Sequence, residues 1–329
     1  MANKKPYVQI DDVSMWYPHK TDIKFKRTEK QWVKAVDGVS LEVERGEVLG
    51  VIGESGCGKS TLGRILARLE NPTSGDVLID GISTKELIKK DSRAFRKLVQ
   101  IVFQNPFDTF TPRDTIEKIM IRPLKIHKIG KDDDERRQMC VEMLESGGLR
   151  PAEEILKRYP HELSGGQLQR ISILRSMVFD PRFIIADEPV SMLDVSVRAD
   201  IINMLLDLSR EKNAAVLFIS HDIALTRYIS DKIAVMYLGR VVEYGNSHDI
   251  IDNPQHPYTK VLISNCSSID PDEVMKKIQI KGEPPTPVNP GPGCYFAPRC
   301  YKATKECFKK YPKSVDVGNG HYVVCDRLI

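Results

Sequence analysis

With 329 residues, 41% of them hydrophobic and 29% charged, the chain has an ordinary globular composition, which excludes disordered and collagen-like classes and leaves room for one large domain plus an appendage. Its net charge of +4, from 49 basic and 45 acidic residues, is too small for a chain of this size to signal a nucleic-acid-binding face. The opening MANKKPYVQIDD carries no apolar run behind its lysines, so no secretory signal is expected. Runs such as AAVLFI and IAVMYL fall short of the roughly 18 residues needed to cross a bilayer, so membrane association is expected only through a partner.

In chain order, VSMWYPHK reads as strand, and HKTDIKFKRTEKQWVK reads as a basic insertion. Its Lys20, Lys24, Lys26, Arg27, Lys30 and Lys34 are expected on a solvated loop, with approach to anionic lipid headgroups as the alternative. GEVLGVIGESGCGKSTLGRILARLE then gives a strand from Glu47 to Ile52, a glycine-rich turn, and a helix whose Leu62, Ile65, Leu66 and Leu69 fall at helical spacing. Gly53 to Ser60 fits G-x-x-x-x-G-K-S/T in full, where glycines let successive backbone N–H groups turn inward around a phosphate. Lys59 is expected to reach the β- and γ-phosphates and Ser60 to ligate Mg²⁺. Cys57, inside the loop, is expected to be a small filler rather than a nucleophile.

Farther along, strand-like VQIVFQ ends at Gln104, and KDDDERRQMCVEMLE predicts a solvated amphipathic helix with acidic residues at its start. In YPHELSGGQLQRISILRSMVF, Ser164 is placed to N-cap a long helix whose start is a second anion site. RFIIADEPV supplies Asp187 after a buried-strand pattern, with Glu188 next to it. Two adjacent carboxylates facing a triphosphate suggest separate tasks, Asp187 holding Mg²⁺ and Glu188 orienting or deprotonating the attacking water. After IAVMYLGRVVEYG and NPQHPYTKVL, five prolines between Pro284 and Pro292 cannot sit inside a helix or a central strand and mark a boundary.

LSGGQ, Leu163 to Gln167, stands intact upstream of the metal-holding strand, and here the chain resembles the ATP-binding subunits of ABC transporters. The resemblance implies an α/β fold of P-loop NTPase type with a mainly parallel sheet and an antiparallel β part near the N-terminus. A helical subdomain from about Arg113 to Phe179 would carry the signature. It also implies that the signature of one subunit completes the ATP site of another in a head-to-tail dimer. Residue by residue, it assigns Gln104 to sensing Mg²⁺ and the attacking water, and SMLD, Ser191 to Asp194, to contact across the dimer. His221 is the switch histidine, and Tyr17 the aromatic that stacks on adenine, with Trp16 competing. The nucleotide set it implies is Tyr17, Gly53, Ser55, Gly56, Cys57, Gly58, Lys59, Ser60, Thr61, Gln104, Asp187 and Asp194, with Ser164, Gly165, Gly166 and Gln167 from the signature. Catalysis falls to Glu188, His221, Gln104 and Lys59, and Mg²⁺ to Ser60, Gln104 and Asp187.

HPYTK, followed by the proline-rich segment and a cysteine cluster, resembles the oligopeptide and dipeptide importer branch of that family. Residues 1–260 are expected to form the ATPase domain and 261–329 a C-terminal extension that folds apart from it. The implied partners are a second, similar ATPase subunit (identical or not), two transmembrane permease subunits and, indirectly, an extracytoplasmic substrate-binding protein. The implied place is the cytoplasmic face of a prokaryotic membrane, and peptides are the expected cargo, with oligosaccharides or nickel as alternatives. A non-transport ATPase acting on nucleic acid is less favoured, because neither a coiled-coil insertion nor a second phosphate loop is visible.

Cys294, Cys300, Cys307 and Cys325 are separated by 5, 6 and 17 residues. In a reducing compartment a disulfide framework is not expected. The gaps are wider than the C-x-x-C pairs of zinc ribbons, and all-thiolate ligation at varied spacing suits an iron–sulfur cluster. The peptide-importer resemblance implies a 4Fe-4S cluster; zinc, or no metal, are the alternatives.

Overall fold

A computed structural model describes residues 6–19, 31–265, 278–280 and 282–327. Of the basic residues singled out in the insertion, Lys20, Lys24, Lys26, Arg27 and Lys30 lie outside them, and Lys34 lies within. The chain divides into two compact units, Met1–Thr84 with Val216–Ile329, and Lys85–Ala215.

The first unit holds an antiparallel sheet in the order Trp32–Val43, Val8–Pro18, Ser74–Ile79, Ile82–Ser83. Beside it in sequence, Val48–Ile52 is buried at every residue, as a strand covered on both faces must be. It pairs parallel to Ala215–Ile219, with Val48 opposite Val216, and to Lys232–Tyr237, with Ile52 opposite Val235. The antiparallel strands Arg240–Asn246 and Tyr322–Val323 follow. A Cβ on Gly50 would lie 2.4 Å from Thr226 and 2.6 Å from Ser230, so glycine lets the helix Ile223–Ile229 rest on the strand. The helix after the phosphate loop, Lys59–Leu66, stops short of Leu69, which is 49% exposed. The helical spacing therefore carried one residue too many into the core.

Three expectations change, two for the C-terminal part and one for Lys34. The proline-rich segment is not a free linker: Lys34 N–H donates to Pro287 O at 3.0 Å, and Asn289 N–H donates to Trp32 O at 2.9 Å. Prolines fit there because Trp32–Val43 is an edge strand and needs few donors from its neighbour. Nor does the tail fold apart from the phosphate loop, since Tyr295 and Phe296 share one apolar cluster with Ile52, Tyr237 and Tyr258. Finally, Lys34 belongs to a strand rather than a solvated loop, with its ammonium 4.5 Å from the Trp16 ring centre.

In the second unit Val99–Val102 pairs parallel to Phe183–Asp187. Helices Ile116–Ile126, Asp133–Ser146, Ala152–Lys157 and Gly165–Met177 enclose a core that includes Ile116, Leu124, Leu144, Leu156, Leu168 and Ile171. This is the helical region expected from about 113 to 179. Asp132 caps the charged helix, accepting from Glu135 N–H at 2.8 Å, and Asp133, Asp134 and Glu135 fill its first turn. Its inner face buries Cys140 completely, and burial pushes that thiol up to about 12.

Candidate nucleotide site and cysteine pocket

The phosphate loop owes its path to glycines at positions no other residue fills. Gly58 has φ +105 and a Cβ there would lie 2.0 Å from Ala35 O; Gly53 has φ +155 and its Cβ would lie 2.3 Å from Met236 O. Gly56, at φ +75, faces open space. Lys59 is 5% exposed, and its ammonium donates to Gly53 O at 2.8 Å and Glu54 O at 3.1 Å. It thus lies folded over the loop, with Ser60 and Thr61 next in the helix. Cys57 is 3% exposed and burial raises its thiol pKa, which suits a filler and not a nucleophile. This glycine-lined turn, with a lysine over it and a helix beginning behind it, fits a nucleotide phosphate.

Tyr17 and Trp16 alternate along their strand and are committed differently. Trp16 Nε1–H donates to Asp37 at 3.2 Å. The Tyr17 hydroxyl donates to Glu70 and also lies in hydrogen-bond range of Thr61; burial, then the Glu70 carboxylate, push it up to about 12. Of the pair, Tyr17 is the one beside the phosphate-loop helix. His221 follows the strand Ala215–Ile219, where Asp222 caps the next helix by accepting from Leu225 N–H at 2.9 Å.

In the second unit Asp187 ends its strand 7% exposed, and Glu188 follows at φ +47, a left-handed backbone that a glutamate adopts only when its surroundings impose it. Gln104 Nε2–H donates to Glu188 Oε2 at 2.9 Å, so two residues 84 positions apart in sequence meet. Ser164 caps the signature helix through a capping box: its Oγ accepts from Gln167 N–H at 3.2 Å and Gln167 Oε1 accepts from Ser164 N–H at 3.0 Å. Gly165 and Gly166 lie in the first helical turn, and their smallness serves packing: a Cβ on Gly166 would lie 2.8 Å from Val197 Cγ1 and one on Gly165 3.4 Å from Leu193. Asp194 stands at the N-cap of Val195–Glu211, and Met192 beside it is 65% exposed. Sequence reasoning missed Gln169, fully buried in the signature helix with its amide 3.4 Å from Phe103 O. A polar residue on the buried stripe of a helix was the available signal.

The four tail cysteines line one cavity together with Phe296 and Arg327, and none forms a disulfide. Amide N–H groups point at sulfur, from Lys302 to Cys300 and from Arg327 to Cys325, both at 3.4 Å, while Thr304 Oγ lies 3.6 Å from Cys307 Sγ. Burial pushes Cys294 up to about 11 and raises Cys300 and Cys325. At Cys307 burial also pushes upward, but hydrogen bonds from Thr304 and Arg327 outweigh it and hold the thiol below its usual value. Among the described residues no group of three or more His, Cys, Asp or Glu side chains is placed to hold a metal ion, so the expected 4Fe-4S cluster and the zinc alternative both go without support from the geometry.

Two family profiles match the chain. One, described as ABC transporter, covers residues 36–191, and the other, described as oligopeptide/dipeptide transporter, C-terminal region, covers 242–307. A dipeptide transport ATP-binding protein of Haemophilus influenzae, DppF, is 44% identical over 98% of this chain and 97% of its own length. The oligopeptide transport ATP-binding protein AppF of Bacillus subtilis is 42% identical over 98% of each. Among solved structures, the dimeric post-hydrolysis state of the ATP-binding cassette MJ0796 with ADP and Pi superposes with a TM-score of 0.63 at 29% identity, over 73% of this chain and 98% of that one. No helix among the described residues is long and apolar enough to cross a membrane. The fold is that of an ABC ATPase cassette, and the chain belongs to the ATP-hydrolysing subunits of ABC transporters, within the oligopeptide/dipeptide transporter family.

Proposed function

We propose that this chain energises uptake of short peptides through separate permease subunits, working at the inner face of the membrane as one of a pair of ATPase subunits. The observation that carries the hydrolytic part is Glu188, held in a left-handed backbone with its carboxylate tied to Gln104 at 2.9 Å. A carboxylate fixed in that way is suited to orient a water and take its proton. Lys59 and the backbone of Gly53 to Ser60 bind the phosphates, with Ser55, Gly56, Cys57, Gly58 and Thr61 completing the loop. Tyr17 stacks on adenine, and His221 reads the γ-phosphate. Mg²⁺, when bound, offsets phosphate charge, and Ser60, Asp187 and Gln104 are the side chains assigned to it.

In this reading the signature helix start, Ser164 to Gln167, meets the nucleotide of a partner ATPase, and exposed Met192 and Asp194 face that partner. The peptide cargo rests on similarity along nearly the whole chain to dipeptide and oligopeptide transport proteins. The ATPase reconstituted with its permeases and binding protein should hydrolyse ATP faster when a dipeptide or oligopeptide is supplied. Stimulation by oligosaccharide or nickel alone would overturn the cargo assignment.

The tail cysteines, which line one cavity, are assigned to a 4Fe-4S cluster because all-thiolate donors at varied spacing suit one. Its role is to clip the tail in place. Protein prepared without oxygen should be brown, with near-equal iron and inorganic sulfide, and Cys300→Ser should bleach it. Colourless protein without iron would remove the cluster.

A further inference from the structure

A carboxylate on a phosphate-binding loop opposes its own ligand, and Glu54 is such a residue, second in the Gly53–Ser60 turn. Its three polar groups are each held. The backbone N–H donates to Tyr258 Oη at 2.9 Å, and the carbonyl accepts from Lys59 at 3.1 Å. The carboxylate takes a two-point fork from Arg299, Nη1 to Oε2 at 2.7 Å and Nη2 to Oε1 at 3.1 Å. The Arg299 side chain is 6% exposed and that of Glu54 25%, so the guanidinium end of the pair is shielded from water while the carboxylate end is partly open to it.

Arg299 is in turn fixed from behind. Its Nε–H and Nη2–H donate to Gly282 O at 3.3 and 3.1 Å, and Nη1–H reaches Tyr237 Oη at 3.4 Å. It sits in the short turn Ala297–Arg299, directly before Cys300, and this turn starts where Ala297 N–H donates to Cys294 O at 3.0 Å. One residue therefore joins the cysteine cavity to the phosphate loop.

We propose that Arg299 is a positioning residue of the ATP site, which acts through Glu54 to hold the phosphate loop and cancel its negative charge, so that the cysteine-bearing turn sets nucleotide affinity. The inference rests on the reading of Gly53–Ser60 as an ATP phosphate site. Losing the fork frees a carboxylate beside the phosphates and loosens the loop's first turn. Both weaken nucleotide binding in ground state and transition state alike, which raises KM and leaves kcat in place.

The test uses the full chain in the assembled transporter, with steady-state ATP hydrolysis and equilibrium ATP binding measured together. Arg299→Met should raise KM and Kd about tenfold with kcat within about twofold; Arg299→Lys, which keeps the charge but not the fork, should fall between. In a Glu54→Gln background, the same Arg299→Met change should alter KM by less than about twofold, because the carboxylate it frees is gone. A lowered kcat at unchanged KM and Kd would make Arg299 a brace of the tail alone and overturn the proposal. An equal KM rise in both backgrounds would overturn it too, since the effect would not pass through Glu54. Failure of the unaltered chain to bind ATP would instead remove the functional reading beneath it.

Discussion

Around LSGGQ the anchors are local: Ser164 and Gln167 satisfy each other's backbone three positions apart, and the helix they open supplies its own hydrogen bonds. In the cysteine tail they are remote. Tyr295 Oη–H donates to Asp37 across 258 positions at 2.7 Å, Arg299 reaches Glu54 across 245, and His321 meets fully buried Glu243 at 2.7 Å. A helix orders itself from within, whereas a tail of short turns and two-residue strands has no internal ladder to lean on and takes its order from side chains that reach other elements. Damage near the signature should accordingly stay local, and damage to a tail anchor should be felt at both of its ends.

The sharpest separation concerns chemistry. Glu188→Gln, in the unit that carries the signature, should cut ATP turnover at least about 100-fold while ATP binding persists, because the amide fits but cannot take a proton. Phosphate release and equilibrium nucleotide binding measure the two halves; near-normal turnover would take Glu188 out of its assigned role.

Next comes an anchor of the tail. Asp37 accepts from Tyr295, from Arg240 at 2.9 and 2.7 Å and from Trp16, with Lys34 at 3.5 Å. Burial would raise its pKa, but Tyr295 and Arg240 outweigh that and hold it below the usual carboxylate value. Asp37→Ala strands Arg240 and should cost about 3 kcal/mol in thermal unfolding of the full chain, with the proline-rich segment more open to protease. An unaltered midpoint would break the contrast between remote and local anchoring.

A pH effect sharpens it further. His256 caps Pro257–Ser264 through Nδ1, which accepts from Tyr258 N–H at 3.1 Å, and burial, against the opposing pull of Glu243, lowers its pKa to about 4. Between about 4 and the unfolded value of about 6.5 the unfolded chain binds the extra proton, so stability should hold above pH 6.5 and fall as the pH drops toward 4. In His256→Gln this part of the acid slope should vanish in unfolding curves across that range. The smallest effect is expected at Gly166→Ala, whose Cβ crowds Val197 while alanine's better helix propensity offsets part of the strain; thermal unfolding should shift by under about 1 kcal/mol and recover with Val197→Ala.

By itself the sequence determined the loop, the signature helix and the order of the motifs, because a phosphate cradle and a capped helix are made of consecutive residues whose backbone geometry glycine, serine and periodic apolar residues dictate locally. Gln104 and Glu188 could be named from their strands, yet their meeting at 2.9 Å, and the left-handed backbone of Glu188, came only with the parallel pairing of Val99–Val102 and Phe183–Asp187. The tail was read as a separate piece because prolines and spaced cysteines carry no period. Tertiary structure alone decided that its Tyr295, Phe296 and Arg299 pack into the phosphate-loop unit, since a buried cation or hydroxyl is satisfied by whichever distant partner the folded core presents, and no spacing along the chain encodes that partner.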